Sequence, residues 1–314
     1  MTLLVKTLDN RWWPCYDEPD GQRTKDDEQR TNVDDLLFGT GGVPISSPKP
    51  STEAGLTRLR ELGLDCIELE WVQRVSMGPE TAQVVRRTAE QQRIHLTVHA
   101  PYYINLNSKE PDKLQASKQR LLAAARVGAL CGASSVAFHP AFYHDDPPAQ
   151  VFATVKHHLA EIMATLHADG ITIQVRPETT GKDSQFGSLE EILRLSQEIA
   201  GVLPCIDFAH LHARHMGKMN TYADFASILA DVRSALGSQA LGDMHIHLSG
   251  IAYGPKGERE HLVLAEADLN YAAVLQALKD AGARGVVVCE SPNLEEDALI
   301  MQQAYRQLRK GDAD

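Results

Sequence analysis

Histidine and carboxylate side chains recur at the ends of short apolar runs in this chain: His99, His139, Glu178, Asp207, His210, His247 and Glu290. Glu178 is the central case, because it closes the β-prone run ITIQVRPE at 171–178 and a polar loop follows it. A carboxylate on a buried strand costs several kcal/mol unless a cation or hydrogen-bond donors meet it. A neighbouring arginine would satisfy one such acid. For imidazoles and acids drawn from many separate runs, with no lysine or arginine at the run ends, divalent cations are the better partner. Imidazole and carboxylate donors without thiolate favour Zn2+, with Mn2+ or Fe2+ as alternatives. The donors exceed one tetrahedral shell, so at least two ions are expected, with one carboxylate bridging them. Such a pair suits phosphoryl-ester hydrolysis, in which cations lower the pKa of a water and clamp the attacking and leaving oxygens. It equally suits isomerisation of a sugar, in which they polarise a carbonyl or alkoxide, and the donor types leave both open.

What must position these residues is a repeat of short β-prone run, polar loop and helical segment. The runs cover 36–42, 66–71, 94–100, 134–140, 171–178, 202–210, 243–250 and 285–291. Between and after them, helical periodicity covers 52–62, 79–92, 112–131, 149–168, 188–199, 221–236, 268–281 and 294–308. Ser188 with Glu191 reads as a capping box, and Gly63, Gly132, Gly170 and Gly282 stand where C-terminal caps belong. The pattern predicts a single α/β domain over 36–314, a (β/α)8 TIM barrel, with an open doubly wound sheet as the alternative. In a barrel the strand ends all face one mouth, which is where the ligand-type residues fall. No GxGxxG or GxxxxGK[ST] follows a strand, so no nucleotide cofactor is expected.

Residues 1–35 differ, with Trp12, Trp13 and Tyr16 followed by a charged stretch, and read as an N-terminal extension, partly flexible. The net charge of −11 gives no general affinity for polyanions. A nucleic-acid partner would need a local basic face, and Arg74, Lys109, Lys113, Lys182, Arg214, Lys218, Lys256 and Arg259 all follow strand ends. No apolar run approaches the ~20 residues that span a bilayer, and the N-terminus lacks a signal pattern, so the chain reads as soluble and cytoplasmic, with no membrane partner. Its five cysteines form no CxxC pair and read as reduced, buried thiols.

The motifs HAPYYINLNS from His99, FHP ending at Pro140, PETTG from Pro177, IDFAH from Ile206, HLSG from His247 and CES from Cys289 span the barrel in order. Together they resemble the endonuclease IV family of AP endonucleases, within the xylose isomerase-like TIM barrel superfamily. The resemblance implies that His99 and His139 hold one zinc, and that Glu178 bridges it to a second held by Asp207, His247 and Glu290. His210 and His261 would hold a third. Family members complete that third site with an Asp-x-His pair, whereas 257–261 here reads GEREH, with Arg259 in the acid's place. Either Glu258 or Glu260 substitutes, or the third site is weak or empty.

The activity implied is base excision repair: a metal-activated hydroxide cleaves the phosphodiester 5′ to an abasic site in double-stranded DNA, with Glu178 or Glu290 assisting the proton. The enzyme would act as a monomer. Tyr102 and Tyr103 would wedge into the base stack, with Arg74 as an alternative wedge and Arg259 on a basic rim. Two rivals remain: a metal-dependent sugar isomerase or epimerase of the same superfamily, and a non-catalytic DNA-lesion-binding barrel. His95, His144, His157, His158, His167, His212 and His215 are assigned no metal role. His245, one pleat before His247 on the same face, reads as a supporting or core residue.

Overall fold

The computed structural model describes residues 35–310, so the aromatic cluster and charged stretch of the N-terminal extension lie outside the described residues. Every predicted run contains a strand. In chain order these are β1 (Leu36–Gly41), β2 (Cys66–Glu70), β3 (His95–His99), β4 (Ser135–Phe138), β6 (Gln174–Pro177), β8 (Cys205–Asp207), β9 (Met244–Leu248) and β12 (Gly285–Cys289). They form one parallel sheet in the order β6-β4-β3-β2-β1-β12-β9-β8. Its two end strands meet through the bridges Val175–Val202 and Glu178–Cys205, and Thr179 N donates to Cys205 O at 3.1 Å. These contacts bring the two edges together as a TIM barrel, which excludes the open sheet. Two ribbons decorate the mouth: β5 (Ala141–Phe142) with β7 (Gln185–Phe186), and β10 (Gly250–Gly254) with β11 (Gly257–Leu262).

The helices are α1 (Thr52–Leu62), α2 (Pro79–Gln92), α3 (Pro111–Cys131), α4 (Pro148–Ala168), α5 (Leu189–Glu198), α6 (Phe208–Arg214), α7 (Tyr222–Leu236), α8 (Tyr271–Asp280) and α9 (Glu295–Lys310). The Ser188–Glu191 capping box forms, and Gly63 and Gly132 end α1 and α3 at φ 75° and 78°. Among the boundaries that differ from the periodicity, two have a cause in side-chain contacts. The helix read from 268 starts at Tyr271, because the Asp268 carboxylate is taken by His212 and Tyr253 while Asn270 caps the helix. The run read over 202–210 stops at Asp207, whose side chain accepts from His210 N at 2.7 Å and so starts the short helix α6.

Alternation along the strands sorts their side chains into two sets. Ile67, Leu69, Leu96, Val98, Val136, Phe138, Ile246 and Val287 join the large apolar layer between barrel and helices. The alternate positions, Cys66 and Glu68 on β2, Thr97 and His99 on β3, His245 and His247 on β9, turn into the barrel. They are buried there with Arg176, which donates to Pro204 O and Asp243 O at the far end from the mouth. The barrel interior is thus unusually polar for a space that branched apolar residues ordinarily fill.

Candidate metal centre

His99, His139, Glu178, Asp207, His247 and Glu290 converge at the mouth from β3, β4, β6, β8, β9 and β12 or the residues just after them, and His210 reaches the same place from α6. Their ligand atoms sort into groups whose members lie within 4.8 Å of one another: His99, His139 and Glu178; Glu178, Asp207, His247 and Glu290; and His210, Glu258 and His261. Glu178 belongs to two of these. Its Oε2 is 3.1 Å from His99 Nε2 and from His139 Nε2, and its Oε1 is 3.0 Å from His210 Nδ1 and 3.4 Å from His247 Nδ1.

Three of the imidazoles are held by their other nitrogen, as metal-binding histidines ordinarily are. His99 Nδ1 is 2.8 Å from Ala100 O, His210 Nδ1 is 3.0 Å from Thr179 O, and His261 Nδ1 is 2.8 Å from Ser249 Oγ. With Nδ1–H of His99 and His210 donated to carbonyls and Nδ1 of His261 bound to a hydroxyl, Nε2 of all three is left to point into the site. The donor set fits a divalent cation on a further count. Glu178 Oε1, Asp207 Oδ2, His210 Nε2 and His247 Nδ1 are all buried without a hydrogen-bond partner, a costly state that an ion would relieve.

The charges follow from burial and crowding. Burial works against the Glu178 carboxylate, yet His139 and His247 outweigh it and hold the acid well below its ordinary range. Burial likewise opposes charge on His99, but the hydrogen bond to Glu178 and the nearby Glu70 raise it to about 10. Asp207 goes the other way: burial raises it more than His210 lowers it. The neighbouring carboxylates likewise raise His210 and His247 against the effect of burial, so a metal binding at these imidazoles would displace protons.

The third group resolves the GEREH departure. β10 and β11 pair Ile251 with His261 and Ala252 with Glu260, then Tyr253 with Glu258, so Arg259 is the extra residue of a β-bulge. The bulge shifts the alternation by one, which brings Glu258 and His261 to the same side and turns Arg259 out over Gly254. Glu258 Oε2 stands 3.6 Å from His210 Nε2. Gly181 makes room for it, since a Cβ there would fall 2.6 Å from Glu258 Cβ. Of the two acids considered, Glu258 lies beside His210 and His261, and Glu260 is exposed.

Tyr102 lies over the first group, its ring 5.2 Å from that of His99 and 5.9 Å from that of His139, while Tyr103 is 64% exposed beside it. Arg74 and Arg259 are exposed at the mouth. The basic rim needs correction at Arg214. The Arg214 guanidinium is largely buried and donates to Thr180 O, Lys182 O and Gln185 O, so it braces the loop after β6 and does not face a ligand. Lys109 and Lys113 stay exposed, in surface pairs with Asp146 and Glu110.

Two acids escaped the sequence reading. Glu68 is fully buried, and Glu70 at the end of β2 is raised to about 8 by burial and by Glu68 and Glu290, with His99 and His247 opposing. The signal was present as CIELEW, an alternation that puts both acids on one face. His245 is buried beside His247, ring centroids 5.1 Å apart. Cys66, Cys131, Cys205 and Cys289 are buried free thiols. No helix among the described residues is long and apolar enough to cross a membrane.

Comparison with known proteins agrees with this architecture. The chain is 44% identical over 273 residues to the uncharacterized protein MJ0133 of Methanocaldococcus jannaschii, covering 87% of this chain and 98% of that one. It is 24% identical over 204 residues to a protein of Mycoplasma pneumoniae named probable endonuclease 4, covering 63% of this chain and 68% of that one. Among solved structures, a D-tagatose 3-epimerase-like protein superposes with TM-score 0.66 at 18% identity, covering 86% of this chain and 97% of that one. Endonuclease IV from Thermus thermophilus superposes with TM-score 0.64 at 17% identity, covering 87% of this chain and 99% of that one. At such identities the two structures show a shared fold. The profile described as xylose isomerase-like TIM barrel matches residues 56–311, and the chain belongs to that family.

Proposed function

We propose that this protein is a metal-dependent DNA-repair endonuclease that cuts double-stranded DNA on the 5′ side of abasic sites. The observation that supports this most is the sharing of Glu178 between two ligand groups with a third, His210–Glu258–His261, alongside. Enolisation of a sugar needs charge neutralised around one carbonyl, whereas in-line displacement at phosphorus must neutralise attacking, leaving and non-bridging oxygens together. The likeness to a probable endonuclease 4 points the same way.

His99, His139 and Glu178 would hold one ion, Glu178, Asp207, His247 and Glu290 a second, and His210, Glu258 and His261 a third. Zn2+ suits these donors, with Mn2+ or Fe2+ as alternatives. Divalent cations there would supply Lewis acidity at the phosphoryl oxygens and a nucleophile at neutral pH. Glu290, 14% exposed where the acids Glu178 and Asp207 are buried, opens toward the mouth and accepts the proton of the attacking water. Tyr102 shields His99 and His139 from solvent, and Tyr103 enters the base stack at the lesion. Arg74 and Arg259 meet phosphates on either side.

One observation favours a second reading. Glu178 Oε1 and Glu290 Oε1 each lie 3.4 Å from His247 Nδ1, so two carboxylates flank one ligand, an arrangement suited to proton exchange beside a sugar carbonyl. A labelled duplex with a single abasic site, incubated with and without chelator, separates the readings. Metal-dependent nicking that leaves a 3′-hydroxyl is expected. Ketohexose epimerisation without nicking would replace the nuclease with an epimerase, and retention of the duplex without cleavage would leave a lesion-binding barrel.

A further inference from the structure

Glu68 is a carboxylate at the centre of the barrel, fully buried, one pleat below the mouth. A lone charge there would cost several kcal/mol, and no lysine or arginine pairs with it among the described residues. Its partners come from other strands. Oε2 accepts from Thr97 Oγ1 at 2.8 Å and lies 2.8 Å from His245 Nε2, while Oε1 lies 2.8 Å from His247 Nε2. β2 and β9 are not neighbours in the sheet, since β1 and β12 stand between them, so the contact crosses the barrel interior. His245 is steadied in turn by Ser135 Oγ, 3.1 Å from its Nδ1.

The importance of this contact lies in what His247 does with its other nitrogen. Nδ1 faces Glu178 Oε1 and Glu290 Oε1, buried and without a hydrogen-bond partner. The mouth imidazoles His99, His210 and His261 are held through Nδ1 by a backbone carbonyl or a hydroxyl and present Nε2. His247 is turned the opposite way, and the group behind it is an anion. The two imidazole N–H bonds do not lie on the line to the Glu68 oxygens, so the 2.8 Å contacts are electrostatic.

We propose that Glu68 is a positioning residue for the cation site: it holds the Nε2 proton of His247, so that the Nδ1 lone pair is presented to the ion shared with Glu178, Asp207 and Glu290. Thr97 and His245 keep the carboxylate in register for this task. A carboxylate behind a ligating imidazole fixes its tautomer and raises its basicity. The inference rests on the metal-dependent reading above, though not on the identity of the substrate.

The test reads metal rather than turnover. In zinc-loaded wild-type protein, long-range proton–nitrogen spectra should show His247 as the Nε2–H tautomer. In Glu68→Gln, chelator competition should show the affinity of one ion weakened by about 10- to 100-fold, with the ion at His99 and His139 changed little. Thr97→Val should weaken the same ion by a smaller factor. A purely structural Glu68 would move thermal unfolding without singling out one ion. An Nδ1–H tautomer at His247 in the loaded wild type would overturn the proposal, and that measurement needs no variant to fold. Unchanged zinc affinities in Glu68→Gln would overturn it too. A wild type that takes up none of zinc, manganese or iron overturns the proposal and the metal-dependent reading together, whereas one that binds an ion and leaves abasic DNA intact bears on the substrate alone.

Discussion

His210 Nε2 faces Glu258 Oε2 across 3.6 Å, with the rings of His210 and His261 5.6 Å apart beside them. The glutamate reaches this position because the bulge at Arg259 re-phases β11 and Gly181 leaves space beside the chain. If these side chains hold a third ion, Glu258→Ala should lower zinc from about three per chain to about two, as counted by elemental analysis of the purified protein. Three zincs retained in the variant would show that Glu258 is not a ligand.

Glu178 sits between two ligand groups, so it is the side chain whose charge the centre depends on most. Glu178→Gln keeps the shape and removes the anion. Nicking of abasic duplex should fall at least about a thousandfold, while the circular dichroism spectrum is retained. Near-normal cleavage by the folded variant would remove Glu178 from its proposed place.

Metal uptake should depend on pH with a definite sign. His99 is raised to about 10 in the ion-free protein, and a ligand must lose its proton to bind, so zinc affinity should climb as pH rises from about 6 toward about 10. Calorimetry in buffers of different ionisation enthalpy would detect the released protons. For the ion-free fold the signs are opposed. The raised His99 contributes stability that is full below its unfolded value of 6.5 and is lost as pH rises through about 10. The depressed Glu178 contributes stability that is present above 4.5 and is lost as pH falls well below it. Denaturant midpoints of chelated protein should therefore peak between these limits and decline on both sides. A flat profile would show that the buried ion pairs contribute little.

Arg259 and Arg214 should behave differently although both follow strand ends. Arg259 is exposed on the hairpin, so Arg259→Ala should weaken binding of abasic duplex and reduce the slope of log affinity against log salt by about one. Arg214 holds carbonyls of the 180–185 loop, so Arg214→Ala should cost about 1–3 kcal/mol of stability and leave the salt slope unchanged. Equal effects of the two on the salt slope would place Arg214 on the DNA after all.

Tyr103 is the more exposed of the paired rim tyrosines, with Arg120 Nη1 donating to its carbonyl oxygen to hold the loop. Tyr103→Ala should reduce the preference for abasic over intact duplex more than it reduces general DNA affinity. Competition binding with the two duplexes checks this, and an unchanged ratio would remove Tyr103 as the lesion reader.

Strand and helix placement was largely legible along the chain, because period two and period 3.6 are local signals and the caps at Ser188, Gly63 and Gly132 are local too. Acids and imidazoles in phase at strand ends mark the mouth along the chain, since a parallel barrel turns all those ends one way. What the local pattern missed was set by contacts between distant segments. Glu68 reads along the chain as one more acid on a strand, and its contact across the barrel with His245 and His247 involves residues far downstream. Arg214 looked like a free cation until the carbonyls around it were seen. The choice of Glu258 over Glu260 turned on a single bulged residue, and Asp207 ended its strand early by capping a helix. Residue order determines which chemistry the chain can carry, because donor type and spacing are written in it. Which nitrogen faces an ion, and which acid stands behind it, was decided by the closed barrel, because hydrogen-bond direction and desolvation depend on neighbours that the chain brings together only when it folds.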